Sequence, residues 1–197
     1  MSETGVIKFQ YESSGGALAP FPGFEELNSA RQEMRRLGLL GVDLNRIGFG
    51  NVSLRDGTNE SFYITGSGTG ALPELSLGHY AKVTAWNFER NWLRCEGQAI
   101  ASAESLTHAA IYAIEAEVRV VLHGHDGARW RNLRARGTAT SPDVAYGTPE
   151  MAAEVQRLFR ETDLRTKKVF AMAGHEEGIV ALGSDFAEAF AALAAAR

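Results

Sequence analysis

His123-Gly-His125 closes an apolar run that includes Val118, Val120, Val121 and Leu122. Side chains two apart on a strand point the same way, so both imidazoles converge on one point. A run rich in β-branched residues that ends in two polar rings reads as a buried strand delivering ligands at its mouth. Imidazole is the commonest protein ligand for zinc and its neighbours, but a catalytic zinc takes three protein ligands and keeps one position open. The third ligand has to come from elsewhere in a chain with only five histidines. His175 is the best candidate, because it follows a second apolar stretch (169–173) and Gly174 and precedes a short strand at 179–182. His79 lies in a polar turn region and reads as a surface histidine.

His108 follows Glu104 at helical spacing. A helix is expected to start near Ser102, whose hydroxyl suits an N-cap, and to run over 103–116 with Leu106, Ala109, Ala110, Ala113 and Ile114 as its apolar stripe. Glu104 falls in the first turn, where the helix dipole favours a carboxylate. Capping accounts for such an acid by itself. Glu104 and His108 share one helix face, so His108 is placed to orient the carboxylate as a supporting partner of the site.

Two glycine-containing loops lie upstream, one at 48–55 leading into a strand and one at 63–70 leaving one. Glycines let backbone N–H groups line a concavity that holds anions. Neither loop has the spacing of a dinucleotide fingerprint or the Lys-Ser/Thr of a P-loop, and each read singly is an ordinary turn.

Together these segments resemble the class II aldolase/adducin family. The resemblance is carried by Gly50-Asn-Val-Ser-Leu-Arg55, Ile64-Thr-Gly-Ser-Gly68, Ser102-Ala-Glu104 with His108, Val120-Val-Leu-His-Gly-His125, Gly147-Thr-Pro-Glu-Met151 and Gly174-His175, in order over roughly residues 24–192. It implies a three-layer α/β/α sandwich around a mixed, mostly antiparallel sheet. It implies that His123, His125 and His175 hold a divalent metal, zinc or else manganese, cobalt or iron(II), and that Glu104 moves the proton. Asn51, Ser67, Gly68 and Ser102 match the family's anion cradle. The activity implied is that of an aldolase, lyase or epimerase acting on a small hydroxylated carbonyl compound, sugar or sugar phosphate, through a metal-stabilised enediolate. The other reading that the family offers is a non-catalytic, adducin-like binding or assembly module. Ala103 and Gly48 stand where the resemblance implies phosphate-binding hydroxyls, so the pocket is expected to bind phosphate weakly and to favour a carboxylate or a neutral hydroxyl end. The family also implies a homotetramer, with Trp86, Trp92 and Trp130 available for burial.

With 197 residues and balanced composition, the chain is long enough for one sizeable core. The organisation expected is an arm at 1–22 and a single domain at 23–197. A formal charge of −4 gives no pull toward nucleic acid or an acidic membrane. The lone cysteine, Cys95, fits a reducing cytoplasm, and neither a signal-peptide core at the start nor a membrane-length apolar run is seen. A first helix is expected over 25–37. Strands are expected around Val52, Tyr63, Val83, Trp92, Val120, Val169 and Ile179, joined by short turns that imply hairpins. Arg129, Arg131, Arg134 and Arg136 form a basic run after the histidine pair. It reads as a solvated helix face, or as a source of the anion affinity that Ala103 and Gly48 lack.

Overall fold

A computed structural model describes residues 6–44 and 46–196; the start of the chain, read for a signal-peptide core, lies outside them at 1–5. The arm contributes strand β1 (Gln10–Ser13). Helix α1 (Phe24–Arg36) follows Gly23, whose φ of 85° makes the tight entry. Glu25 and Glu26 at its start and Arg35 and Arg36 at its end oppose the helix dipole, and Leu27, Ala30 and Met34 form the buried stripe. Two short strands, β2 (Gly41–Val42) and β3 (Gly48–Phe49), pair as a ribbon. Strands β4 (Asn51–Arg55), β5 (Phe62–Thr65), β6 (Tyr80–Asn87) and β7 (Trp92–Glu96) then form antiparallel neighbours. Helix α2 (Ser105–Ile114) leads to β8 (Val120–His125), and α3 (Gly127–Ala135), α4 (Pro149–Glu161) and α5 (Leu164–Lys167) precede β9 (Val169–Ala171), β10 (Gly178–Gly183) and α6 (Phe186–Ala195).

The main sheet runs β1-β7-β6-β5-β4-β8-β10-β9, antiparallel throughout except where β1 lies parallel on β7. Alternation of side chains across the pleat gives the sheet two apolar faces. One face packs Ile64, Val83, Val121 and Val180 against Leu106 and Ile111 of α2 and Val155 and Leu158 of α4. The other packs Val52, Val120, Leu122 and Ile179 against α1, α3 and α6. This is the mixed, mostly antiparallel three-layer arrangement expected from the sequence. The arm is tied in, with Phe9 buried in the first of these cores. Trp86 and Trp130 pack partly buried against the two cores, and Trp130 donates its Nε1–H to the Met172 carbonyl at 2.9 Å, so neither ring stands wholly free for a subunit contact. Among the described residues no helix is long and apolar enough to cross a membrane.

One expected boundary is wrong. Helix α2 begins at Ser105, with Glu104 at the N-cap position and Ser102 outside the helix. Ser102 does not cap: its Oγ donates to the Thr65 carbonyl at 2.8 Å, and neighbouring Ala101 bridges to Gly66, which holds this segment against the sheet. Ser105 satisfies the entry turn instead, its Oγ donating to the Ser102 carbonyl at 2.6 Å.

Candidate metal centre and anion cleft

Strand register brings the first pieces together. β8 sits between β4 and β10, so Asn51, His123 and Val180 form one row across three strands. His123 and His125, two apart, project from the end of β8 toward the side occupied by α2. His175 comes from the turn between β9 and β10. That turn is tight: the Gly178 N–H donates to the His175 carbonyl at 2.9 Å, and a Cβ at Gly178 would lie 2.5 Å from His175 Cδ2. Only glycine leaves the imidazole room there. Gly50, at φ 79°, turns the chain into β4 where a Cβ would sit 3.1 Å from the His123 carbonyl.

The ligand nitrogens of His123, His125 and His175 all lie within 4.8 Å of one another. His125 Nε2 and His175 Nε2 stand 3.0 Å apart. His123 Nδ1 is 3.1 Å from the Ile179 carbonyl, which only accepts, so Nδ1 carries the proton and Nε2 presents its lone pair. That Nε2 is buried and finds no hydrogen-bond partner among the described residues. Burial pushes His123 down to about 4 and His125 to about 3, and drives His175 well below the usual histidine range. All three rings are therefore neutral at pH 7, the state that coordinates metal. Three convergent neutral imidazoles, one with an otherwise orphaned nitrogen and an oriented ring, fit a divalent cation.

Glu104 stands beside them, its Oε1 3.8 Å from His123 Nε2 and 3.9 Å from His175 Nε2. Its other oxygen accepts from Asn51 Nδ2 at 2.7 Å. Burial pushes the carboxyl up to about 7, against the pull of that hydrogen bond. The carboxylate makes no capping bond to α2, so its position at the helix start does not account for it.

His108 does not orient Glu104. Its Nδ1 is 2.7 Å from Ser53 Oγ, which also meets the Tyr112 hydroxyl at 2.7 Å, and its Nε2 is unpartnered among the described residues. Helical spacing put the two on one face, but α2 starts at Ser105 and Glu104 turns off toward the histidines while His108 turns into the sheet. Asn51, expected among the anion-binding residues, is the partner that holds the carboxylate, a contact set by strand register and invisible to local spacing. Its Oδ1 is left without a partner among the described residues.

Asn51, Ser67, Gly68 and Ser102 do come together: they line one cleft with Ala103 and Glu104, between the two glycine loops. It is tight, about 20 Å³, room for roughly one water. Arg31 and Arg35 of α1 brace the second loop from behind, Arg31 reaching the Thr69, Leu72 and Pro73 carbonyls and Arg35 the Gly70 carbonyl. A wider cavity of about 440 Å³ between α3, α5 and α6 is lined by none of the expected site residues, and size alone does not make it the reactive site. Arg129, Arg131 and Arg134 lie on α3, Arg136 follows its last turn and borders the wider cavity, and none of the four lines the cleft. Arg129 pairs with Asp126 and donates to the Leu193 carbonyl, and Arg134 covers the Trp130 ring. His79 is a local capping residue, its Nδ1 accepting from the Ser76 N–H at 2.9 Å.

The sequence model of the class II aldolase and adducin N-terminal domain matches residues 32–129, which carry Glu104, His123 and His125. The chain belongs to the class II aldolase/adducin family. Its fold is similar to that of an L-fuculose 1-phosphate aldolase (TM-score 0.66, 18% identity, covering 91% of this chain and 83% of that one). It is also similar to YgbL of Klebsiella pneumoniae, described as a putative aldolase/epimerase/decarboxylase (0.62, 18%, 87% and 83%), and to a sugar-phosphate aldolase of Thermotoga maritima (0.61, 14%, 87% and 88%). No curated protein sequence matches the chain.

Proposed function

We propose that this protein is a divalent-metal-dependent lyase or epimerase acting on a small hydroxylated carbonyl compound of the sugar or sugar-phosphate type. The observation that carries the reading is the convergence of three neutral imidazoles beside a buried, uncapping carboxylate. His123, His125 and His175 would hold the cation, and a set of three nitrogen donors favours zinc. When bound, it supplies Lewis-acid stabilisation to negative charge developing on a chelated hydroxy-carbonyl. Glu104 is the group that takes and returns the substrate proton, and Asn51 fixes which carboxylate oxygen faces the histidines. Ser67, Gly68 and Ser102 line the side on which a hydroxylated part of the substrate would rest.

The adducin-like, non-catalytic alternative leaves His123 Nε2 and Asn51 Oδ1 buried without a purpose, at a cost of about 1–3 kcal/mol each. We further propose a homotetramer, which light scattering reads directly, working in the cytoplasm without nucleic-acid or membrane partners. The test of the reaction is Glu104→Gln, assayed on a panel of hydroxylated carbonyl compounds with and without phosphate. The amide keeps an acceptor for Asn51, so zinc content should match the parent while turnover falls roughly 10²-fold. Equal turnover would remove Glu104 from the chemistry, and a parent protein that takes up no divalent cation would end the enzymatic reading.

A further inference from the structure

Gly48 and Ala103 line the cleft and offer it no hydroxyl, and none of the arginines at 129–136 reaches it. One cation is brought toward the reactive groups by the arm, through neighbours it shares with them. The Lys8 stem lies against Gly147: a Cβ there would be 3.5 Å from Lys8 Cβ, 3.8 Å from Lys8 Cδ and 3.3 Å from the Ala103 carbonyl, next to Glu104. The Lys8 ammonium sits 4.2 Å from the centre of the Tyr146 ring, and that ring lies 4.6 Å from the His175 ring. Lys8 thus shares one neighbour with Ala103 and another with a proposed metal ligand.

This placement is built. Asn91, at φ 46°, donates its Nδ2–H to both the Lys8 carbonyl at 3.0 Å and the Gly147 carbonyl at 3.2 Å, and its own carbonyl accepts from the Gln10 N–H at 2.8 Å. The Val6 N–H adds a bond to the Tyr146 hydroxyl at 3.3 Å. One asparagine therefore fixes the arm against the loop that carries Tyr146.

We infer that Lys8 is a specificity-determining residue, holding the anionic end of the substrate, phosphate or carboxylate, beside His175 and Glu104. The inference rests on the function proposed above. A half-buried ammonium on a flexible stem suits this task, since its charge stays near water while the stem covers apolar surface.

Calorimetric titration of Lys8→Met, Lys8→Arg and the parent decides it, with inorganic phosphate, glycolate and uncharged dihydroxyacetone as probes, on zinc-loaded and metal-free protein. The expected result is a loss of roughly tenfold or more in affinity for phosphate or glycolate in Lys8→Met. Whichever of the two suffers names the anion. Affinity for dihydroxyacetone should stay within about twofold, Lys8→Arg should recover most of the loss, and zinc content and melting temperature should stay at parental values. The inference is overturned if Lys8→Met binds both anions as the parent does, if the uncharged probe weakens equally, or if the parent binds neither anion. A parent that takes up no zinc counts against the proposed function alone, because the metal-free arm still reads the lysine.

Discussion

β4 and α2 together bury two polar clusters, one at each end, and the two are built to opposite rules. At the far end, Arg55 is buried with its guanidinium on carbonyls: Nε donates to Val118 at 2.8 Å, and Nη2 to Tyr112 at 2.8 Å and Glu115 at 3.0 Å. Tyr112 and Glu115 lie at the C-terminal end of α2, where the helix presents unpaired carbonyls and partial negative charge. At the near end, Asn51, Glu104 and His123 are just as buried, yet Asn51 Oδ1 and His123 Nε2 have no partner among the described residues. Buried polar groups are almost always satisfied. The difference teaches that burial of charge and polarity does not mark a site; leftover hydrogen-bonding capacity does so where donor atoms converge on one point, as the three histidine nitrogens do. Arg31, buried under the glycine loop, likewise turns its terminal nitrogens onto three carbonyls; its Nε lacks a partner among the described residues but joins no cluster of donor atoms.

The comparison breaks most visibly at His123. His123→Ala removes the nitrogen that folding leaves unpaired, so cation affinity should fall by more than about 10²-fold, beyond what loss of a mere supporting residue causes. The metal-free variant should still melt in one cooperative transition. Zinc uptake at parental affinity, read by a competing chelator dye, would mean that the near end is only a polar core. Arg55→Met is the mirror experiment. It strands several buried carbonyls, so urea denaturation should show a loss of about 3 kcal/mol, with zinc affinity per folded molecule unchanged. A stable Arg55→Met with impaired zinc binding would exchange the roles assigned to the two ends.

How much of this was legible in the chain follows from the reach of each signal. The His-Gly-His pair, the glycine before His175 and the strand-forming runs are local patterns, and each lies where local pattern put it. The triad needed β8 and the β9–β10 turn to be neighbours, which only the order of several motifs implied. The bond between Asn51 and Glu104 depends on β4 being adjacent to β8 in one register, and no spacing encodes that. The misplaced start of α2 has a related origin: Ser102 has good capping chemistry, but its hydroxyl is taken by Thr65, far away in sequence. Lys8 and Tyr146 gave no signal at all, since a single lysine in an arm and a tyrosine beside a glycine acquire meaning only when Asn91 draws them together.

A third kind of polar cluster, on the surface, sharpens the contrast because it is satisfied and yet contributes little. Glu188 in the first turn of α6 pairs with Lys168 and accepts from the Ser184 N–H at 2.7 Å and the Ser184 hydroxyl at 2.9 Å. Lys168 first, then Ser184, hold its carboxyl at about 2, below an ordinary value of 4.5. A carboxyl with a lowered folded-state pKa binds fewer protons folded than unfolded, so its contribution is complete above about pH 4.5 and is lost as pH falls toward 2. Both side chains are about a third exposed, and water and salt screen the pair. The parent should therefore lose only roughly 1–4 °C of melting temperature to this group across that acid window. Glu188→Gln should start lower by that amount at pH 7 and converge with the parent near pH 2. Parallel melting curves for the two proteins between pH 4.5 and 2 would show that the clasp, satisfied as it is, holds nothing that acid can release.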